Sequence, residues 1–213
     1  MSALVVTEVT GAHDRRRVLS PTSFSLDRAG SLAVVGRSGA GKSTLAEIVL
    51  GLRLPASGSV VVDGVAWPAA RAHRRLVQGV PQDAAASFVP RWSLGRSIAD
   101  AVRRLTDGAD VARRIDRAAE LADLDRALLD HRPAEVSGGQ AQRAAIVRAL
   151  AVEPAVLVAD EPTSALDPDR TALVSQALVD IARSTGTALL LITHDPAVAA
   201  RCDRTLTLTA PAA

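Results

Sequence analysis

The chain has 213 residues, of which 48% are hydrophobic, and its formal net charge is only +2. This length and apolar content are enough for a compact unit with a sizeable core and at most two lobes. The single cysteine, Cys202, excludes an internal disulfide and fits a reducing compartment. No apolar run approaches the roughly 20 residues of a membrane span, so we expect a soluble protein. The small net charge gives no indication of nucleic-acid binding.

Residues 31–50 contain the first strong motif of the chain. An apolar run at residues 31–35 predicts a buried strand, and residues 45–50 predict a helix. Between them lies the pattern G-x-x-x-x-G-K-[S/T], formed by Gly36, Arg37, Ser38, Gly39, Ala40, Gly41, Lys42, Ser43 and Thr44. In a chain of this composition the pattern would arise by chance with a probability on the order of 10⁻³. It predicts a loop whose backbone N–H groups surround the phosphates of a nucleotide.

Lys42 is the only lysine among the 25 lysine and arginine residues of the chain. A sequence that uses arginine almost everywhere keeps a lysine where a compact, flexible ammonium has a specific use, as a point charge on the β- and γ-phosphates. The hydroxyl of Ser43 can bind Mg²⁺, and a helix that starts near Lys42 adds its positive end. We therefore expect this loop to bind ATP with Mg²⁺.

The segments after the loop predict an α/β fold with two lobes. Asp63 and Gly64 stand between apolar runs and predict a hairpin, so the first third of the chain should be rich in strands. From about residue 93 to residue 129 the apolar spacing becomes helical. A strand, a helix and a second strand then follow, at residues 156–159, 169–184 and 188–193. This order is typical of a parallel sheet, interrupted here by a helical insertion.

A second glycine turn, Ser137-Gly138-Gly139-Gln140, precedes a helix that should run to Leu150. Ser137 is a natural N-cap, and the two glycines expose backbone N–H groups at the start of the helix. Because a helix start carries partial positive charge, we expect a second anion-binding site here. A glycine turn without a ligand is the alternative.

Two carboxylates, Asp160 and Glu161, follow the apolar strand predicted at residues 156–159. Ligands of α/β sheets bind at the carboxyl ends of the strands, so this position favours a functional role. Asp160 is suited to hold Mg²⁺ through water, and Glu161 is suited to polarise an attacking water. The pair by itself leaves a purely structural role open, because Asp-Glu after a strand is common.

Together these motifs resemble those of the ATP-binding subunit of an ATP-binding-cassette (ABC) transporter, over nearly the whole chain. The resemblance rests, in chain order, on residues 36–44, Gln82, residues 137–140, Asp160-Glu161, residues 164–167 and His194. It implies an α/β P-loop NTPase fold with a RecA-like core, an N-terminal antiparallel β subdomain and an inserted α-helical subdomain. One ABC ATPase domain would span residues 1–213, with the helical subdomain at 83–150 and the β subdomain and core at 1–82 and 151–213.

The same resemblance implies a head-to-tail dimer with a second ABC ATPase subunit, identical or homologous. Each ATP would lie between the phosphate loop of one subunit and the turn at residues 137–140 of the other. Gln82 would contact Mg²⁺ and the attacking water, Asp167 would cross the dimer interface, and His194 would contact the γ-phosphate. The catalytic set would be Glu161, His194, Gln82 and Lys42.

Residues 81–92 are similar to the corresponding stretch in ATPases of dipeptide, oligopeptide and nickel importers, although Ala84 and Val89 replace the usual Pro and Asn. The similarity implies ATP-driven import of a peptide or nickel-type solute through integral membrane permease subunits. The chain would then be cytoplasmic and peripheral on the inner face of the cell membrane.

We expect residues 83–105 to form a groove for a helix of such a membrane partner. By the resemblance, Gln82 at one end of this segment would adjoin the γ-phosphate, and Phe88, Trp92 and Ile98 lie further along it. Aromatic residues are only 2% of the chain, so their occurrence here is suggestive. Packing in the core explains these side chains equally well.

Two alternative functions belong to other classes. The first is a non-transport ABC ATPase that powers a soluble or nucleic-acid-associated complex. Against it, the chain holds one cassette, has no long coiled coil and shows no basic patch with interleaved aromatics, so no nucleic-acid partner is expected. The second is a nucleotide sensor without turnover, which is disfavoured because every catalytic position is filled.

His13 is the candidate for contact with the adenine. Related ATPases usually stack the base on an aromatic residue, commonly Tyr, whereas this chain has no Tyr and offers His13 at the matching place, five residues before Val18. A flat imidazole can stack, although it is smaller than a phenol ring. An exposed loop histidine without a contact is the alternative.

Overall fold

A parallel and an antiparallel β-sheet organise the chain. The computed structural model describes residues 2–13, 16–68, 71–162 and 168–211. In chain order the elements are β1 (Ser2–His13), β2 (Arg16–Asp27), β3 (Ser31–Gly36), α1 (Lys42–Val49), β4 (Ser57–Val62), β5 (Val65–Trp67), β6 (Val77–Val80), α2 (Leu94–Leu105), α3 (Val111–Leu121), α4 (Gly138–Leu150), β7 (Val156–Asp160), α5 (Pro168–Thr185), β8 (Ala188–Ile192), α6 (Pro196–Ala199) and β9 (Arg204–Leu208).

The antiparallel sheet has the strand order β2-β1-β4-β5. The predicted hairpin joins β4 to β5: Val62 pairs with Val65, and both turn residues have positive φ, 49° at Asp63 and 79° at Gly64. A two-residue hairpin turn of type I′ requires positive φ at both positions, which Asp-Gly supplies at low cost. The predicted hairpin and the strand-rich first third are thus confirmed.

The parallel sheet has the strand order β6-β7-β8-β3-β9. Alternate residues of β7 join two different apolar cores: Leu157 and Ala159 face one core, and Val156 and Val158 face the other. A strand buried on both faces reads as a continuous apolar run, which is the pattern the sequence has here. The predicted strand-helix-strand order, with α5 between β7 and β8, is confirmed.

Helices α2, α3 and α4 follow one another between β6 and β7, where the helical insertion was predicted. Their buried side chains recur at helical spacing, for example Ile98 and Val102 in α2 and Ile115 and Ala119 in α3. They share an apolar core with one face of the parallel sheet. The limits assigned to the helical subdomain stay a prediction. None of the helices in the described ranges has the length and apolar character needed to cross a membrane.

A carboxylate fixes the start of β3, the strand that leads into the glycine loop. Asp203 Oδ2 accepts hydrogen bonds from the backbone N of Ser31 at 2.8 Å and from its hydroxyl at 2.7 Å. Its other oxygen pairs with Arg183 at 2.7 Å. The Ser31 hydroxyl and then Arg183 hold the pKa of Asp203 below its usual range. These contacts join β3 to the segment that enters β9.

Candidate functional site

The glycine loop connects the carboxyl end of β3 to the start of α1. Gly41, immediately before α1, has a φ of 92°, and a Cβ atom there would lie 2.5 Å from the backbone oxygen of Val18 in β2. A side chain at this position would be strained and would clash with the backbone of β2. The fold therefore requires a glycine at the place where the motif has one.

Lys42 places its ammonium inside this loop. Its Nζ donates hydrogen bonds to the backbone oxygens of Gly36 at 2.8 Å and Arg37 at 3.2 Å. Gly41 offers no side chain to cap α1, and the first turn of the helix holds no acidic residue. The backbone N–H groups at this helix start are therefore available to an anion. The lysine charge and the helix start both favour a phosphate held by the loop.

Asp160, Glu161 and His194 lie at the same edge of the parallel sheet as the loop. Asp160 ends β7 and pairs with Ile192, the last residue of β8. The backbone N of Glu161 donates to the oxygen of Ile192 at 3.0 Å, and His194 follows two residues later. Because β8 pairs with both β7 and β3, the carboxyl ends of the three strands are neighbours.

The carboxylate of Glu161 contacts the imidazole of His194. The Nδ1 atom of His194 lies 2.9 Å from Oε1 and 2.8 Å from Oε2 of Glu161. Only 18% of the Glu161 side chain is exposed, compared with 69% for His194. Glu161 also has a positive φ of 46°, a conformation that costs energy for a residue with a Cβ and that is concentrated at active sites. Both residues were predicted from the sequence, but their contact was not.

The surroundings of Asp160 favour a nearby cation. Burial and then the charge of Glu161 raise the pKa of Asp160, whereas the ammonium of Lys42 lowers it. Two adjacent carboxylates in a half-buried site are stabilised as anions by a positive charge beside them. The ligands predicted for Mg²⁺, a hydroxyl from Ser43, an amide from Gln82 and the carboxylate of Asp160, can all offer oxygen, which Mg²⁺ prefers.

Ser43, Gln82 and Asp160 line one cavity of about 740 Å³. The structure thus brings together the three residues predicted to hold Mg²⁺. In the part of the chain that the structure describes, no group of three or more histidines, cysteines and carboxylates could hold a metal ion. A set with a single carboxylate suits a Mg²⁺ ion that keeps several waters and binds nucleotide phosphates.

The same cavity continues from the metal-site residues into an apolar groove, which we define by Leu50, Leu52, Trp67 and Leu105. Leu52, in the wall of this groove, is 77% exposed. The groove therefore offers apolar contact area directly next to Gln82 and Ser43.

The residues that line this groove differ from those predicted. Of residues 83–105 only Leu105 lines the cavity, and most of the wall comes from residues 46–52 and 67–82. The prediction for Phe88 and Ile98 is wrong, because these side chains are buried in the core of the helical region, at 3% and 0% exposure. Trp92 is half-buried, with the guanidinium of Arg96 stacked 4.3 Å from its ring centroid.

Ser137 caps α4, as predicted. Its hydroxyl accepts a hydrogen bond from the backbone N of Gln140 at 3.3 Å, and the Gln140 side chain accepts one from the backbone N of Ser137 at 2.8 Å. A Cβ atom on Gly138 or Gly139 would meet nothing within 4 Å, so the turn faces open space. Ser137, Gly139 and Gln140 line a cavity of about 760 Å³, different from the one that Ser43 lines. Asp167 lies outside the described residues, as do residues 163–166.

His13 is the last residue of β1. It pairs with Arg16 across the β1–β2 hairpin and is exposed. Two residues earlier, a Cβ atom on Gly11 would approach the side chain of Thr44 to 2.5 Å, so this end of the hairpin packs directly on the loop and α1. The stacking role of His13 stays a prediction.

Three charged residues without a role assigned from the sequence also line the cavity, Glu47, Arg74 and Arg148. Glu47 lies one helical turn after Ser43 and pairs with Arg53 at 2.6 Å. The i, i+4 spacing from Ser43 could have indicated Glu47, because such residues share one helix face. Arg148 contacts Ser87, which is 61 residues earlier in the chain, and no local pattern indicates that contact.

The comparisons with known proteins settle the family. A family model described as "ABC transporter" matches residues 19–164. This chain belongs to the ABC transporter family. It is 38% identical over 210 residues to the nickel import ATP-binding protein NikE of Escherichia coli O6:K15:H31, a match that covers 93% of this chain and 77% of the other. It is 37% identical to the NikE protein of Shigella dysenteriae, with the same coverage.

Solved structures of ABC proteins share the fold. The cbiO1 protein of Clostridium perfringens, part of the ABC transporter complex cbiONQ, superposes with a TM-score of 0.86 at 27% identity, over 98% of this chain and 85% of the other. A dimeric ATP-binding cassette in a post-hydrolysis state, bound to ADP and Pi, gives a TM-score of 0.82 at 26% identity, over 97% and 94% of the two chains. The predicted fold, an ABC ATPase with an antiparallel sheet beside a P-loop core, is confirmed.

Membership of this family confirms three predictions about function. This chain binds ATP, hydrolyses it and uses the hydrolysis for transport. The phosphate loop and the carboxylates at the sheet edge are the parts of this chain that fit that reaction. The comparisons give no support to the non-transport alternative.

Proposed function

We propose that this chain is the ATP-hydrolysing subunit of an importer for a peptide or nickel-type solute, located on the cytoplasmic face of the membrane beneath integral permease subunits. The observation that carries the proposal is the position of Lys42, Asp160 and Glu161 at one edge of the sheet. Asp160 also lines the cavity that contains the apolar groove. The 38% identity with a nickel import ATP-binding protein supports the solute class.

The test is uptake by the reconstituted complex. The chain is purified together with the membrane subunits that it binds, and the complex is reconstituted into vesicles. ATP is enclosed in the vesicles, on the side of the membrane where the chain lies. Uptake of radiolabelled nickel is then compared with uptake of a labelled dipeptide. ATP-dependent uptake of one of them, lost in a Glu161→Gln variant, supports the proposal. Hydrolysis that responds only to ribosomes or nucleic acid would favour the non-transport alternative.

ATP with Mg²⁺ would bind at the glycine loop. The backbone N–H groups of residues 36–44 and the ammonium of Lys42 would contact the phosphates. Ser43, Gln82 and Asp160 would hold Mg²⁺ with water completing its shell. The ion would supply positive charge against the phosphates when bound. The shared cavity of these three residues and the raised pKa of Asp160 support this assignment.

Hydrolysis would depend on Glu161 as the general base. Its carboxylate lies at the strand end, is mostly shielded from solvent and is held in place by Nδ1 of His194. A base fixed in this way can accept a proton from water without first losing side-chain entropy. His194, which is largely exposed, is free to contact a γ-phosphate that enters beside it.

A second ABC ATPase subunit would complete the site. The Ser137 turn, with its open glycines, lines a different cavity from Ser43 of the phosphate loop, so one chain offers two separate half-sites. A head-to-tail pair would bring the Ser137 turn of one subunit against the nucleotide on the other. Leu173 lines the cavity at this turn and is 68% exposed, which gives the interface apolar surface. Asp167 would lie at the same interface.

The apolar groove would receive a cytoplasmic helix of the permease. An exposed leucine at its rim and the adjoining Gln82 support this assignment, because a helix docked there would contact both the groove and the nucleotide side of the cavity. Trp92 and Arg96 would contact the same partner outside the groove.

Crosslinking tests the groove. A cysteine-directed photo-crosslinker placed at Leu52→Cys or Trp92→Cys is expected to capture an integral membrane subunit, identified by mass spectrometry. Burial raises the pKa of the native Cys202 to about 11, so little of its thiol is ionised at neutral pH and the background should be low. Ala112→Cys, on the exposed face of α3, is the matched control. Equal capture from all three positions would contradict the assignment.

Nucleotide affinity tests His13. If His13 stacks on the adenine, His13→Ala should weaken binding by roughly 1 kcal/mol, or about five-fold, because the phosphates supply most of the binding energy. Discrimination between ATP and GTP should be weak, since a stacked ring makes no hydrogen bond that tells purines apart. The exposed His73→Ala is the control. Equal affinities in the parent and in His13→Ala would remove His13 from the site.

A further inference from the structure

Arg148, in the last turn of α4, contacts the segment that follows Gln82. Its guanidinium donates to the backbone oxygen of Ser87 at 2.7 Å and to the Ser87 hydroxyl at 2.9 Å. Its carbon Cζ lies 4.4 Å from the ring centroid of Phe88, within cation–π distance. The Ser87 hydroxyl in turn donates to the backbone oxygen of Ala84 at 2.6 Å. The arginine thus makes three contacts with two consecutive residues.

This arrangement is costly for a purely structural contact. Burial lowers the pKa of Arg148, which means that its charge has lost part of its hydration. Among the described residues no carboxylate lies within ion-pair distance of it, although seven other arginines there pair with a carboxylate. An apolar side chain would pack against Phe88 without this penalty. The charge and the forked shape of arginine therefore have a use beyond packing.

The position of Arg148 joins two parts of the ATP site. Helix α4 begins at the Ser137 turn and has 13 residues, which at 1.5 Å per residue makes it about 20 Å long. Arg148 lies at the opposite end of this helix and lines the same cavity as Gln82. Its partner Ser87 is five residues after Gln82. A single rigid helix thus connects the Ser137 turn to the Gln82 segment through one side chain.

We propose that Arg148 is a positioning residue that makes the Gln82 segment and the Ser137 turn move as one body. The inference rests on the proposed roles of Gln82 and Ser137. A shift of the Gln82 segment, caused by nucleotide or by a helix in the groove, is passed through Ser87 and Arg148 to α4. The Ser137 turn is thereby presented to the second subunit only when the Gln82 segment has the matching position.

The test compares Arg148→Met and Arg148→Lys with the parent in steady-state ATPase assays. In both variants kcat should fall about tenfold or more while KM changes little, because positioning is lost and not nucleotide contact. Lysine should fail to rescue, since it cannot make the two forked hydrogen bonds or stack as a plane. Arg114→Met is the matched control and should keep the parent kcat. Arg114 lies on α3 and pairs with Glu153.

Hydrogen exchange separates positioning from loss of structure. In the parent, ATP should slow amide exchange both at residues 83–88 and at the start of α4; in Arg148→Met only residues 83–88 should respond. Ser87→Ala removes one of the two hydrogen bonds that Arg148 donates, and it should also lower kcat. This variant provides the test if Arg148→Met does not fold. The double variant should be no worse than Arg148→Met alone.

Two results would overturn the inference while leaving ATP hydrolysis intact. One is a kcat in folded Arg148→Met equal to that of the parent. The other is a nucleotide response at the start of α4 that persists without Arg148. An inactive parent protein would instead reject the proposed function itself, so the two failures are distinguishable.

Discussion

Glu161→Gln is expected to lower the rate of ATP hydrolysis by about 10² or more while ATP still binds. Glutamine keeps the size of the side chain and can still accept a hydrogen bond, but it loses the charge that pulls a proton from water. Glu161 lies at the carboxyl end of β7, where Nδ1 of His194 holds it, so the substitution changes a fixed group. Steady-state phosphate release and nucleotide binding are the two measurements.

Glu153→Gln is the matched control for this variant. Glu153 is an exposed carboxylate just before β7 that pairs with Arg114, and its loss should leave turnover unchanged. Because Glu161→Gln binds ATP without consuming it, ATP should also cause dimers to accumulate, alone or with the second ABC subunit. Unchanged steady-state hydrolysis in Glu161→Gln would reject the assignment of Glu161 as the base.

Lys42→Met should weaken ATP binding by about 10²-fold, because charge-assisted contacts to two phosphates are lost and methionine supplies none. The hydrogen bonds of Nζ to Gly36 and Arg37 show that the ammonium already lies in the loop, so little rearrangement is needed to reach a phosphate. Equilibrium binding of a fluorescent ATP analogue measures the change.

The chain offers an independent control for the role of Lys42. Because it contains no other lysine, an amine-directed reagent can label only Lys42 and the N-terminus. Added ATP should protect Lys42 from labelling and leave the N-terminus unprotected. Arg126→Met, at an exposed site, is the matched variant for binding. An affinity in Lys42→Met equal to that of the parent would show that the loop does not hold the phosphates.

Local sequence patterns predicted those parts of the site that a single segment forms. The glycine loop, the hairpin at Asp63-Gly64 and the cap at Ser137 all follow from the backbone needs of a few consecutive residues, and the structure has each of them. The carboxylates at residues 160–161 were located for the same reason, since an apolar run of strand length indicates where the strand ends.

Contacts between distant segments could not be predicted in this way. Glu161 and His194 are 33 residues apart and meet because β7 and β8 are neighbours in the sheet, a choice of strand order that periodicity does not encode. For Phe88 the sequence left a groove and the core equally open, and burial against α4 decides for the core. The contact of Arg148 with Ser87 could not be predicted either, because arginines on an amphipathic helix usually face solvent.

The proposed function requires that this chain hydrolyses ATP in a site that a second ABC subunit completes. The dependence of the hydrolysis rate on protein concentration tests this requirement directly. Phosphate release per mole of chain is measured over a wide range of concentrations, for the parent and for Glu161→Gln, with the chain alone and with its membrane complex. We predict that the specific activity of the isolated chain rises with its concentration, that the specific activity of the assembled complex is constant, and that both fall strongly in Glu161→Gln. Specific activity that is independent of concentration in the isolated monomeric chain, or that persists in Glu161→Gln, would contradict it.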